Sequence, residues 1–158
     1  MPDVVILMGS KSDMPHVQKI VDSLARFDLS HEIRIASAHK SPAYLLQILG
    51  NYEAQQEPHV YVTVAGRSNA LSGMVDAAVA APVIACPPYS DRFGGADVYS
   101  SLRMPSGVAP ALVLEPEGAA LLAAKILGRR EQVQALQKEQ TNRLIEDDAT
   151  VESRDSNR

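Results

Sequence analysis

Val4-Val5-Ile6-Leu7-Met8-Gly9-Ser10-Lys11-Ser12-Asp13 joins five consecutive apolar residues to a short turn of small and polar ones. An apolar run without alternation suits a strand buried on both faces, as in a parallel sheet covered by helices on each side. Beyond the turn, Val17, Ile20, Val21 and Leu24 recur at helical spacing. The same strand-turn-helix unit then repeats. Residues 32–36, with Ile33 and Ile35 alternating, form a second strand, and Leu45, Ile48, Leu49 and Tyr52 follow as a helix behind Pro42, a residue favoured in a first helical turn. Residues 59–65 are rich in β-branched side chains and read as a third strand. Leu71, Met74, Val75 and Ala78 mark a third helix, capped by Ser68 or Asn69 and stopped at Pro82. Val83-Ile84-Ala85 and Ala111-Leu112-Val113-Leu114 give two more strands, and residues 118–127 an alanine-rich helix stopped by Gly128.

This rhythm predicts an α/β protein, a three-layer α/β/α sandwich built on a flavodoxin-like parallel sheet with right-handed crossovers. Residues 1–128 are read as one α/β domain. Residues 129–147, with Val133, Leu136, Gln140 and Leu144 on one stripe, form a C-terminal helix that packs on that domain or on a neighbouring subunit. Residues 148–158 are read as a flexible tail. The stretch from Cys86 to Ala109 is longer than a plain connection needs, which points to a functional lid or a subunit contact, with a short helix over residues 96–103.

Composition narrows the function classes. The 158 residues carry a net charge of −4 with no Lys/Arg-rich block, which argues against nucleic-acid binding. No apolar run approaches the length of a membrane span, and the first residues do not resemble a signal peptide, so a cytoplasmic protein is the default reading. Cys86 is the single cysteine and no two histidines have a metal-ligand spacing, so neither a disulfide framework nor a metal site is expected.

Three polar segments follow the first three strands: Gly9-Ser10-Lys11-Ser12-Asp13, Ser37-Ala38-His39-Lys40 and Ala65-Gly66-Arg67-Ser68-Asn69. In a parallel sheet all three meet at the carboxyl end, where ligands of open α/β sheets bind. The first offers hydroxyls and free amides suited to a phosphate, with Asp13 able to accept from a ribose; the same residues serve equally well as a turn in which Ser12 or Asp13 caps a helix. The second sets an imidazole, which gives and takes protons near neutral pH, beside an ammonium group. The third supplies amides and a cation, or simply an Asn or Ser cap. His16, His31 and His59 fall in a first helical turn or at strand starts and are expected at the surface, away from this mouth. Cys86 is expected to be a small buried hydrophobe rather than a nucleophile.

The segments Met8-Gly9-Ser10-Lys11-Ser12-Asp13, Ser37-Ala38-His39-Lys40, Ala65-Gly66-Arg67-Ser68-Asn69-Ala70-Leu71, Cys86-Pro87-Pro88 and Ser100-Ser101-Leu102-Arg103-Met104-Pro105-Ser106-Gly107 together resemble the phosphoribosylaminoimidazole carboxylase family of purine biosynthesis. The resemblance runs from about Val4 to about Leu127. It implies an enzyme without a cofactor that carboxylates 5-aminoimidazole ribonucleotide at ring carbon 4. Ser10 and Lys40 would hold the 5′-phosphate and Asp13 the ribose hydroxyls. Ser37, Gly66 and Ser68 would line the aminoimidazole and carboxylate positions, and His39 would be the general acid/base. It also implies a homo-oligomer, an octamer of 422 symmetry. A mutase subclass, which rearranges an N-carboxylated substrate, typically has Ser-Ala-His-Arg and Ala-Gly-Gly-Ala-Ala-His; Lys40, Arg67-Ser68-Asn69 and Ala70 look instead like the subclass that uses free carbon dioxide. The alternatives are the mutase itself and a non-catalytic flavodoxin-like module that captures a nucleotide. Such a module has no use for His39, and a flavin binder usually stacks its ring on aromatics, which are only 4% of this chain.

Overall fold

The computed structural model describes residues 1–91 and 94–155. Its centre is β1 (Val4–Met8), every residue of which is buried. β1 pairs in parallel with β2 (His31–Ile35) on one side and β3 (Val60–Val64) on the other. β4 (Val83–Ala85) pairs with β3, and β5 (Ala111–Leu112) with β4. The resulting order is β2-β1-β3-β4-β5. That is the flavodoxin-like order, with its switch point between β1 and β3.

Alternate residues of the strands point to opposite faces and build two apolar layers. Val4, Ile6 and Met8 pack with α1 (Met14–Leu24), α4 (Pro116–Ile126) and the start of α5 (Arg130–Asp155). Val5 and Leu7 face α2 (Pro42–Glu53) and α3 (Ala70–Asp76). The three-layer sandwich expected from the sequence is therefore what forms. Three of the helices, α1, α2 and α4, carry a proline in the first turn, where the missing N–H costs nothing. Asp3 fastens the edge of this arrangement: its carboxylate accepts from the Ser30 amide and hydroxyl at 2.9 and 2.7 Å and from Arg129 at 3.0 Å.

Several boundaries differ from the sequence reading. α3 stops at Asp76 rather than near Pro82, and the Asp76 carboxylate accepts the Ala109 amide at 2.7 Å, tying the helix end to the segment returning to β5. β5 is two residues long, though Val113 still donates to the Ala85 carbonyl. α5 continues to Asp155, eight residues past the expected end, since no Gly or Pro follows Gly128 to interrupt it; the tail expected at 148–158 is thus helical as far as 155, and 156–158 lie outside the described residues. Val133 and Leu136 pack on the core, whereas Leu144, Ile145 and Val151 are exposed. In the long stretch between β4 and β5, a 3₁₀ helix forms at Ala96–Ser101, close to the expected short helix.

Candidate active site

A cavity of about 460 Å³ opens at the carboxyl end of the sheet, over the switch point. It is lined from the turns after β1, β2 and β3, and Ser10, Asp13, Ser37, His39, Lys40, Gly66 and Ser68 all border it. Every site residue expected from the sequence is therefore at this one mouth. Ser12, Arg67 and Leu71 also line it, with Gly9, Ala38 and Ala65.

The turn after β1 is fixed by its own hydroxyls. Ser10 Oγ accepts from the Ser12 amide at 3.3 Å and from the Ser12 hydroxyl at 3.0 Å. Asp13 precedes α1 but makes no side-chain cap bond, so the capping alternative fails for it and its carboxylate is left to the cavity. A methyl group built on Gly9 or on Gly66 would lie 4.0 Å from that carboxylate. Partial burial raises the Asp13 pKa, offset in part by the Ser10 backbone and by His16.

The turn after β2 is built by two serines. Ser37 Oγ accepts the Lys40 amide at 3.2 Å, and Ser41 Oγ accepts the Ser37 amide at 3.0 Å. The Ser41 hydroxyl, in the cap position of α2, thus serves the turn and makes no helix cap bond. His39 and Lys40 are exposed at the rim, where a bound ligand can reach both.

In the turn after β3, the bland alternative holds for Asn69 alone. Its side chain accepts the Ser72 amide at 3.2 Å as the cap of α3 and donates to Ser101 Oγ at 2.8 Å, while its amide donates to Ser100 Oγ at 2.9 Å. Ser68 stays exposed at the cavity. Arg67 adopts φ 75°, a left-handed conformation that costs a non-glycine residue about 1–2 kcal/mol. The Asn69–Ser100–Ser101 bonds clamp this turn onto the 3₁₀ helix of the long connection.

Two histidines depart from the expected surface location. His59 is buried at the amino end of β3, with Nδ1 2.7 Å from the Glu57 carbonyl and Nε2 3.2 Å from the Glu53 carboxylate. Glu53 also accepts from the Tyr61 hydroxyl at 3.1 Å. His59 belongs to the end of the sheet opposite the cavity, as its strand-start position implied. His16 is half-buried, and the first turn of α1 puts it at the same end as the cavity, not away from it. His31 is exposed at the start of β2. Cys86 is fully buried, and burial, reinforced by Glu115 and Glu117, pushes its thiol up to about 12, as a structural cysteine requires.

Sequence and fold place the chain among the flavodoxin-like sandwiches, with a switch-point pocket bordered by hydroxyls, a carboxylate, an imidazole and a lysine. The chain belongs to the AIR carboxylase family, whose pattern it matches over residues 3–146. It is 52% identical over 155 residues to phosphoribosylaminoimidazole carboxylase of Treponema denticola, covering 95% of this chain and 98% of that one. It is 60% identical over 128 residues to the Archaeoglobus fulgidus protein of the same name, covering 81% and 70%. The crystal structure of Treponema denticola PurE superposes with a TM-score of 0.91 at 52% identity, over 93% of this chain and 96% of that chain.

Proposed function

We propose that this enzyme carboxylates 5-aminoimidazole ribonucleotide at ring carbon 4 with free carbon dioxide, in de novo purine biosynthesis in the cytoplasm. The observation that carries the reading is the convergence of the three polar turns on one cavity, which both His39 and Lys40 border. Ser10 and Lys40 hold the 5′-phosphate and Asp13 the ribose hydroxyls. The ring then lies toward Ser37, Gly66 and Ser68. The aminoimidazole is enamine-like, so its ring electron pair forms the new bond from carbon 4 to the carbon of carbon dioxide, while one C–O π pair of the gas moves onto oxygen to give the carboxylate. The intermediate keeps a proton on carbon 4. His39 removes it, the C–H pair restores the aromatic ring, and the proton passes to solvent. General-base help of this kind typically contributes about 10²–10⁴-fold. Binding the gas against carbon 4 benefits from a dry, closed pocket, a task that suits the long connection clamped to the Arg67–Asn69 turn.

The choice of carbon dioxide over the mutase reaction rests on Lys40, on Arg67-Ser68-Asn69 and on Ala70, each of which departs from the mutase pattern. Arg67 stands where that pattern has glycine, the residue its left-handed backbone would favour. Keeping an arginine there at an energetic cost supports a use for its charge in the pocket of a true carboxylase. A direct competition between aminoimidazole ribonucleotide and the N-carboxylated compound, with carbonic anhydrase present to maintain carbon dioxide, tests this. Turnover of aminoimidazole ribonucleotide at physiological bicarbonate is expected. Efficient use of the N-carboxylated compound with negligible rate on aminoimidazole ribonucleotide overturns it in favour of the mutase.

The family resemblance also supports a homo-oligomer, an octamer of 422 symmetry. The exposed apolar residues Leu144, Ile145 and Val151 on α5, and Tyr99 and Leu102 in the long connection, are the surfaces that such an assembly would cover.

A further inference from the structure

We propose that His16, outside the residues that touch substrate, is a positioning residue that sets the spacing between the Asp13 wall of the pocket and the proline segment packed behind Gly66. The inference rests on reading that pocket as the carboxylase site. His16 is in the first turn of α1, one turn after Asp13, and its Nε2 lies 3.1 Å from the Cys86 carbonyl and 3.4 Å from Cys86 Sγ. A carbonyl only accepts, so Nε2 carries the proton. Burial lowers the His16 pKa, with the Cys86 carbonyl opposing, which favours the neutral ring at physiological pH.

The Cys86 carbonyl is where β4 leaves the sheet. The Cys86 amide donates to Thr63, and the Ala85 carbonyl takes the Val113 amide, so the ladder ends at this residue. Pro87 and Pro88 follow and have no N–H to donate. Beside the contact of Cys86 Sγ with the Leu114 carbonyl at 3.7 Å, the His16 bond is what fastens the departing backbone. Its consequence reaches the cavity through Pro88, whose ring would lie 3.4 Å from a methyl group on Gly66. On the other side His16 shares a helical turn with Asp13, whose carboxylate approaches the same Gly66. One imidazole thereby links the wall carrying Asp13 to the proline wall behind Gly66. If the bond is lost, the proline wall can relax and the Gly66 end of the pocket opens, whereas the phosphate end at Ser10 and Lys40 keeps its own hydrogen bonds.

The test compares three variants of the full chain in its native assembly: His16→Phe keeps a ring without a donor, His16→Asn has a donor too short to reach, and His16→Gln puts an amide near the Nε2 position. Consumption of 4-carboxy-5-aminoimidazole ribonucleotide is followed by ultraviolet absorbance. The signal is lost whether the carboxyl leaves as carbon dioxide or moves to the amine, so the readout does not depend on the carbon source. A misplaced wall acts on the reacting atoms, so kcat is expected to fall about tenfold or more in the Phe and Asn variants while KM stays within about threefold. The Gln variant is expected to recover kcat to within about threefold of wild type. Wild-type turnover together with unchanged kcat in the Phe and Asn variants, a rise in KM alone, or a Gln variant as slow as Asn overturns the inference. A wild-type enzyme inactive on this compound overturns the site reading and the inference together. If the Phe variant does not assemble, the Asn–Gln contrast decides in the same way.

Discussion

Replacing Asn69 by alanine is expected to destabilise the protein by about 2–4 kcal/mol, a sum built from two lost contacts. Asn69 is only 4% exposed. Its carbonyl oxygen caps α3 by accepting the Ser72 amide, and loss of such a cap costs about 1 kcal/mol. Its amide nitrogen donates to Ser101 Oγ, which is itself buried, and leaving that oxygen without its donor costs about 1–3 kcal/mol. For a chain of this size each kcal/mol moves the thermal midpoint by about 2–4 °C, so a fall of about 5–15 °C is expected. Calorimetry of the single variants Asn69→Ala and Ser101→Ala and of their double variant apportions the sum. In the Ser101→Ala background only the cap remains to be lost, so the added cost of Asn69→Ala should shrink to about 1 kcal/mol. A midpoint lowered by less than about 2 °C in Asn69→Ala, or additive effects in the double variant, refutes the reasoning.

His39→Asn should assemble and bind nucleotide normally but lose most turnover, because the amide fills the space without accepting the carbon-4 proton; steady-state kinetics and a binding titration check both halves. Lys40→Ala should mainly raise KM, since a phosphate contact is much the same in ground and transition states; a loss confined to kcat would refute that role. At Asp3, burial tends to raise the pKa, but the Ser30 bonds and Arg129 outweigh it and hold the carboxyl below its ordinary value. A depressed acid contributes stability that is complete above the unfolded pKa and is lost as pH falls through the folded one, so this contribution should begin to decline near about pH 4 and be lost at lower pH. Asp3→Asn should therefore be less stable at neutral pH and show a shallower acid limb, as measured by urea midpoints against pH.

The features legible in the sequence were those decided by neighbours along the chain. The apolar runs at Val4–Met8 and Val60–Val64, each ending in small polar residues, already locate the sheet and its mouth. His39 and Lys40 could be assigned to that mouth because they lie in the short turn between a strand and the next helix. Contacts across the fold were another matter. His16 looks exposed in a first helical turn until the strand order brings the end of β4 beside α1. His59 looks like a surface strand start until the end of α2 presents Glu53 to it. Asn69 and Ser68 are equivalent as caps in the sequence. Only the approach of Ser100 and Ser101, more than thirty residues on, assigns the cap to one and the cavity to the other.

Cys86 gives the molecule a reporter of its own motions. It is the single sulfhydryl in the chain, fully buried at the end of β4 and weakly acidic, so a thiol reagent in solution finds little thiolate to attack. Labelling must then wait for the β4 end to open. Under conditions where reclosing is faster than modification, its rate measures the free energy of that local opening. Because the same residue accepts the His16 bond and precedes the proline wall, one chemical clock would time the breathing of the pocket without any foreign probe.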